Sequence, residues 1–317
     1  MLFSILIPAY NAEKYIINCI NSIKKQTFED WECIIIDDGS KDNTYNIIVK
    51  NVINDKRFIV EKQLNQGVAN TRNNLLKMAK GDYIVWIDAD DFVSETMLYN
   101  INKNILKYKA DLLIFNYNIV DEEKIASIRL LNRDDGIIGK KEVFRHFAEE
   151  CNMPSFLCNK IFNKNLFNNI AFDNSLKMLE DYEVMISLVS FAQRIVYLND
   201  YLYNYRQIDS SITHNIDEHI IKRNLTIRNE REKVLLKFFP DLINSVKIGN
   251  VYITINYIII AKQNEYVELF KQLKEQLKKN IFIYLLSNDI KLKEKIKATL
   301  ICINFNFYNC IKNLINR

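Results

Sequence analysis

Four polar segments interrupt the apolar runs of the first 120 residues, and they hold the side chains able to do chemistry: Pro8-Ala9-Tyr10-Asn11, Asp37-Asp38-Gly39-Ser40, Asn65-Gln66-Gly67 and Asp88-Ala89-Asp90-Asp91. Asp88 and Asp90 alternate along an extended segment, so both carboxylates leave the same side. Two hard oxygen donors at that spacing suit Mg²⁺ or Mn²⁺ carrying a diphosphate. Tyr10 offers a flat face for a base, and Asp38 an acceptor for an imide or ribose hydroxyl. Arg72 offers a permanently charged fork for phosphate oxygens. Each has a plainer role: Asp90 and Asp91 as the start of a helix near Ser94, Tyr10 as core, Arg72 as a surface arginine. For an isolated acidic run the plainer role is the better reading; the acids at neighbouring segments reverse that preference.

The elements that must position these residues follow from periodicity. Residues 3–7 form an apolar run closed by Pro8, a buried strand. From 13 to 25 the apolar residues Ile16, Ile20 and Ile23 recur at helical spacing. Strand and helix then alternate: strands at 31–37, 58–61, 83–88 and 111–116, helices at 44–52, from 67 to 80 and at 94–108. Such alternation means a parallel sheet with helices on both faces, and ligands bind beyond the carboxyl ends of its strands. All four polar segments lie there. The first strand-helix turn carries no GxGxxG and the chain has no GxxxxGK[ST], which disfavours a dinucleotide-binding fold and a phosphate-loop ATPase.

Composition narrows the class. The chain has 317 residues, 49% hydrophobic and 26% charged, with only 6 Gly and 3 Pro. This is a globular composition favouring long helices and short loops. Residues 1–240 carry 31 basic and 33 acidic side chains, whereas 241–317 carry 12 and 6, so the net charge of +4 originates in the C-terminal part. That distribution does not fit a nucleic-acid-reading surface. The six cysteines form no CxxC pair and the three histidines no zinc spacing with them. The N-terminal apolar run lacks a basic flank and is short for a signal peptide, so a cytoplasmic chain with reduced thiols is expected. The apolar stretch at 251–261 is shorter than a spanning helix and reads as a buried one.

Taken in order, Ser4-Ile5-Leu6-Ile7-Pro8-Ala9-Tyr10-Asn11, Gln26-Thr27-Phe28, Ile36-Asp37-Asp38-Gly39-Ser40-Lys41-Asp42-Asn43, Asn65-Gln66-Gly67-Val68-Ala69-Asn70-Thr71-Arg72-Asn73 and Gly81-Asp82-Tyr83 through Asp91 resemble family 2 of the glycosyltransferases. The resemblance implies an α/β GT-A fold, Rossmann-like with a mostly parallel sheet flanked by helices. It also implies a nucleotide-sugar donor, a divalent metal and inversion at the anomeric carbon. By it, Tyr10 stacks on uracil and Asp38 with Gly39 meets the base. Pro8, Ala9, Asn11 and Glu13 line the nucleoside pocket, and Arg72 approaches the diphosphate. Asp88 and Ala89 face the ribose, with Asp90 the main metal ligand and Asp88 the second; Asp91 ranks below them.

The resemblance continues more weakly through Cys158-Asn159-Lys160-Ile161-Phe162, Leu179-Glu180-Asp181-Tyr182-Glu183 and Tyr205-Arg206-Gln207. It maps the catalytic base to Asp181, a residue that by itself reads as a solvated helix start. His214 sits where some relatives place a late metal or diphosphate ligand, and it stays outside the firm set. The QxxRW pattern of processive relatives is absent, which favours transfer of a single sugar.

The expected organisation is a catalytic domain at 1–218, with a nucleotide-sugar half at 1–120 and an acceptor and base half at 121–218. A helical C-terminal region at 219–317 completes it. In that region Lys291, Lys293, Lys295 and Lys297 precede Ile301, Ile303, Phe305 and Phe307, and two occupants fit such a segment: an anionic membrane surface and a second copy. The expected activity is metal-dependent transfer of a hexose or N-acetylhexosamine from a UDP-sugar to a saccharide or lipid-linked saccharide of a surface glycan such as lipooligosaccharide or capsule. Two rivals share the acidic metal site: a sugar-phosphate nucleotidyltransferase, disfavoured by the missing Gly-rich turn, and a non-catalytic nucleotide-sugar-binding protein.

Overall fold

The computed structural model of the chain describes residues 2–121, 124–149, 153–176, 179–208 and 216–315. Strand and helix alternate from the N-terminus as the patterning predicts: β1 (Phe3–Ala9), α1 (Ile16–Lys24), β2 (Trp31–Asp37), α2 (Thr44–Val52), β3 (Phe58–Lys62), α3 (Val68–Met78) and β4 (Tyr83–Trp86). β1 runs parallel to both β2 and β4, and β2 to β3. Covered on both faces, β1 and β2 are almost continuously apolar, as central parallel strands require.

Beyond β4 the chain leaves simple alternation. There follow β5 (Phe92–Val93), α4 (Met97–Tyr108), β6 (Leu112–Val120), β7 (Ile125–Ile128), β8 (Gly136–Ile138), α5 (Lys140–Glu149), β9 (Lys160–Asn163), α6 (Glu180–Phe191) and β10 (Ile195–Arg206). The sheet order is β3-β2-β1-β4-β9-β6-β10-β5, with β7 beside β6 and β8 beside β10. β9 enters antiparallel between β4 and β6, the place that alternation alone assigns to a direct β4–β6 pair. β10 lies parallel to β6 with register shifts between Leu198 and Tyr203, and β5 pairs antiparallel with it. The expected helix near Ser94 begins at Met97, because 92–93 is a strand. Asp90 and Asp91 are therefore turn residues ahead of β5 and start no helix.

Helices fill the remainder: α7 (Glu218–Phe238), α8 (Ile243–Gln263), α9 (Val267–Leu286), α10 (Leu292–Ile303) and α11 (Phe305–Ile315). The apolar stretch at 251–261 lies within α8 and is largely buried. Among the described residues no helix is long and apolar enough to cross a membrane.

The chain forms two compact units. One comprises Met1–Lys140 with Ser155–Ser211, the other Lys141–Pro154 with Ile212–Arg317. The segment at 141–154, expected with the sheet, belongs to the helical unit. Its helix α5 buries Val143, Phe144, Phe147 and Ala148, and α8 approaches it so closely that a Cβ at Gly249 would lie 1.8 Å from the Ala148 carbonyl oxygen. Glu149 accepts a hydrogen bond from the Ser245 hydroxyl at 2.8 Å in the same contact.

In the sheet unit, Gly81 plays the corresponding part ahead of β4. A Cβ there would lie 2.6 Å from the Ser4 amide nitrogen and 2.8 Å from the Leu2 carbonyl oxygen. Gly81→Ala is expected to destabilise the protein by about 1–3 kcal/mol, while Gly139→Ala, where nothing lies within 4 Å, stays within about 0.5 kcal/mol of wild type. Urea midpoints of the two variants check this.

Candidate active site

The carboxyl ends of β1 and β2 are laced together through their following loops. The Asn11 amide donates to the Ser40 hydroxyl at 2.9 Å, and the Asn11 side-chain oxygen accepts from the Lys41 amide at 2.9 Å. The Ala12 amide donates to the Thr44 hydroxyl at 2.7 Å, the Glu13 amide to Asp42 at 3.1 Å, and the Asn43 amide to the Glu13 carboxylate at 2.9 Å. Asn11 holds φ at 49°, a conformation that persists in a non-glycine residue only when its surroundings impose it. The bracing engages the amides of Asn11 and Glu13, the Asn11 side-chain oxygen and one Glu13 carboxylate oxygen, and leaves Tyr10 44% exposed beside half-buried Pro8 and buried Ala9.

Asp38 is buried and occupied. Its Oδ1 accepts from the Gln63 side chain and the Gln66 amide, both at 2.8 Å, and its Oδ2 accepts from the Gly67 amide at 2.9 Å. This carboxylate thus fixes the β3–α3 loop and the start of α3. Gly39 next to it has φ 72°, and a Cβ would lie 2.8 Å from the Asn65 amide nitrogen, so the turn requires glycine on both counts.

Arg72, expected on the diphosphate, is buried among acids. Its Nη1 donates to Glu180 at 2.7 Å and to Asp181 at 2.5 Å, and its Nη2 stands 3.6 Å from Asp88. The guanidinium packs 5.6 Å from the Phe172 ring centroid and 5.9 Å from that of Trp86. Its neighbour Asn73 clamps Phe172 on both backbone groups, donating to the carbonyl at 2.8 Å and accepting from the amide at 2.9 Å. Two consecutive residues of α3 therefore hold the segment leading into α6. Burial opposes the charge on Arg72, but Asp181, Glu180 and Asp88 outweigh it and push its pKa upward.

Asp181 stands in the first turn of α6 behind Leu179, whose φ is 66°. Burial drives its pKa up to about 7; Arg72 pulls it down, Glu180 and Asp88 add to the rise, and Lys160 opposes it. Lys160 is wholly buried on β9, its ammonium donating to the Phe156 carbonyl and the Asn159 side chain at 2.6 Å each. Burial lowers its pKa to about 7.

At the end of β4, Asp91 is a brace. Tyr203 on β10 donates its hydroxyl to Asp91 Oδ2 at 2.6 Å and accepts the Asp88 amide at 3.1 Å, while the Arg206 amide donates to Asp91 Oδ1 at 2.7 Å. Asp88 and Asp90 remain partly exposed, with buried Ala89 between them. Burial and the charge of Asp88 push the Asp90 pKa up to about 6. Two hard oxygen donors whose charges act on one another fit a divalent cation. Among the described residues, ligating atoms of Asp88, Asp91 and Cys158 lie within 4.8 Å of one another. Asp91 in that trio is already engaged by Tyr203 and Arg206, and burial keeps the Cys158 thiol protonated by raising its pKa.

Sequence reasoning assigns no role to two participants. Tyr203 belongs to a run of alternating tyrosines on β10, visible in the sequence but without an assignable partner. Arg206 lies over Tyr15 at 5.1 Å and Phe92 at 5.4 Å, and its Nε donates to the Asp90 carbonyl at 3.0 Å. His214 lies outside the described residues.

A family profile described as "Glycosyl transferase family 2" matches residues 4–171. The glycosyltransferase GlyG of Streptococcus pneumoniae serotype 4 is 32% identical over 228 residues, 67% of this chain and 72% of that one. The poly(ribitol-phosphate) β-N-acetylglucosaminyltransferase TarS of Staphylococcus aureus is 29% identical over 217 residues, 65% of this chain and 35% of that protein. A crystal structure of TarS residues 1–349 with UDP-GlcNAc superposes with a TM-score of 0.69 at 20% identity, covering 96% of this chain and 92% of that one; at that identity the likeness is one of fold.

Replacing Arg72 by methionine leaves Glu180 and Asp181 without their cation. The loss is expected to be about 3–5 kcal/mol, the cost of breaking a buried ion pair on one side, and chemical denaturation measures it.

Proposed function

Since the chain belongs to glycosyl transferase family 2, and is therefore an enzyme that transfers sugars, we propose that it moves a single sugar, with inversion, from a UDP-hexose or UDP-N-acetylhexosamine to a hydroxyl of a bacterial surface glycan. One observation carries this reading: a mostly buried carboxylate, Asp181, is tied through Arg72 to the Asp88 end of the acidic rim, with its pKa near neutrality. A general base works best with its pKa near the working pH. The UDP-GlcNAc complex of the structural relative and the poly(ribitol-phosphate) in its name support the donor and acceptor classes.

In this reading the exposed Tyr10 ring carries the uracil, with Pro8, Ala9 and Gly39 shaping the pocket and Asp38 holding its floor. Asn11 and Glu13 act by fixing the loop that presents Tyr10. Asp88 and Asp90 hold Mg²⁺ or Mn²⁺, which when bound supplies positive charge beside the diphosphate. Asp181 accepts the proton of the acceptor hydroxyl as that oxygen bonds to the anomeric carbon. The bond from that carbon to the diphosphate oxygen breaks, and UDP leaves.

Arg72 is committed to carboxylates, so the diphosphate contact passes to Arg206. It has only its Nε engaged by protein among the described residues, and its two aromatic neighbours preset the plane of the guanidinium. The enzyme works in the cytoplasm and meets its acceptor at the inner face of the plasma membrane.

Asp181→Asn is expected to lower transfer by roughly 10²–10⁴-fold with UDP-sugar binding, read by thermal stabilisation, kept. Binding kept together with transfer kept would refute the base assignment. Asp90→Ala and Arg206→Gln each weaken metal-dependent donor binding, Arg206→Gln by roughly tenfold or more. In wild type, kcat/KM rises with pH through an acid limb near 7, because only the deprotonated carboxylate accepts the proton. A limb below pH 5 would contradict the buried base.

A further inference from the structure

Two helices of the second unit are apolar on both sides. On α10, Ala298 and Ile301 are fully buried in the core shared with α8 and α9. On the opposite side, Leu292, Ile296 and Ile303 share one face by helical spacing and are 72%, 52% and 75% exposed. On α9, Leu269, Leu273, Leu277 and Tyr284 face the core, whereas Phe282 and Leu286, one turn apart on the far side, are 71% and 65% exposed. A helix with an apolar stripe on its outer side as well needs a second apolar medium there.

Charge selects that medium. The acids along these two helices and their connection are all engaged: Glu268 by Lys271, Glu275 by Lys278, Asp289 by Arg145 and Glu294 by Lys297. Lys274, Lys279, Lys291, Lys293 and Lys295 make no ion pair among the described residues, although Lys279 and Lys274 add to the positive charge around Glu275, and Lys279, Lys293 and Lys295 flank the exposed apolar positions. A second copy of this chain would set the same lysines against one another across an isologous contact. An anionic bilayer offers apolar depth and negative charge together.

We propose that the outer face of α9 and α10 is a docking surface for an anionic lipid bilayer, with Phe282, Leu286, Leu292, Ile296 and Ile303 entering the interface and the unpaired lysines meeting the headgroups. This deepens, and rests on, the membrane-facing part of the reading above; it does not depend on the transfer chemistry.

The test is co-sedimentation of the full chain, without nucleotide, with phosphatidylcholine vesicles and with the same vesicles containing phosphatidylglycerol, at low and high salt. Binding is expected only with phosphatidylglycerol and falls as salt rises. Lys293→Glu with Lys295→Glu weakens it by roughly 30-fold or more, from the contribution of two lysines at such a surface. Ile296→Asp with Ile303→Asp also weakens it, and since Lys293, Ile296 and Ile303 are exposed and Lys295 half-buried, none of them in the core, the thermal midpoints stay near wild type. The surface assignment fails if wild type ignores phosphatidylglycerol, or if both variants bind as wild type does. It also fails if light scattering finds a dimer that Ile296→Asp dissociates, which would give the face to a second copy. UDP-sugar stabilisation, measured separately, reports on the transfer reading, so failure of either is seen apart from the other.

Discussion

The structure of the acidic rim depends on the Arg72 guanidinium. It is the one cation within hydrogen-bonding reach of both Glu180 and Asp181 among the described residues, and it faces Asp88 as well. Three carboxylates from two distant parts of the chain would repel one another in a site only partly open to water. A buried cation with a planar fork makes their approach favourable and fixes its geometry. Asn73 adds a backbone clamp one residue along the same helix, so the position of α6 relative to β4 is set by two neighbouring side chains of α3.

Much of the remaining polar chemistry holds loops in place, which leaves few groups to meet a ligand. Asp38, Asp42 and Glu13 accept backbone N–H groups, and Asp91 accepts Tyr203 and Arg206. Each of these carboxylates satisfies a backbone amide that the loops would otherwise leave without a protein partner. The Tyr10 ring and the Asp88 and Asp90 carboxylates at the end of β4 are left partly exposed. Positive φ at Asn11 and Leu179 falls next to Tyr10 and next to Glu180-Asp181, where backbone strain serves to aim side chains.

The helical unit follows a different logic. Its core is built from aliphatic faces of α8, α9 and α10, and close approach at Gly249 draws in a segment from the middle of the chain. Paired acids and unpaired lysines give the outer helices a net positive face that the packing itself does not require.

The sequence by itself determined the first four strands and three helices, because short continuous apolar runs, the 3.6-residue period and turn residues are local properties that tertiary contacts seldom override in a two-sided sheet. It also determined which segments carry acids at strand ends, and hence the family. Only the tertiary structure decided the place of β9 between β4 and β6, since an antiparallel insertion depends on pairing across some 75 residues of chain and leaves no periodic trace. The same holds for single side chains. In sequence Arg72 and Arg206 are both arginines beside a rim, and contact alone, made from strands and helices far apart in the chain, buries one among carboxylates and places the other over two rings with, among the described residues, only its Nε bonded to protein. Partners at such separations are set by how the elements pack, which residue type and spacing do not encode.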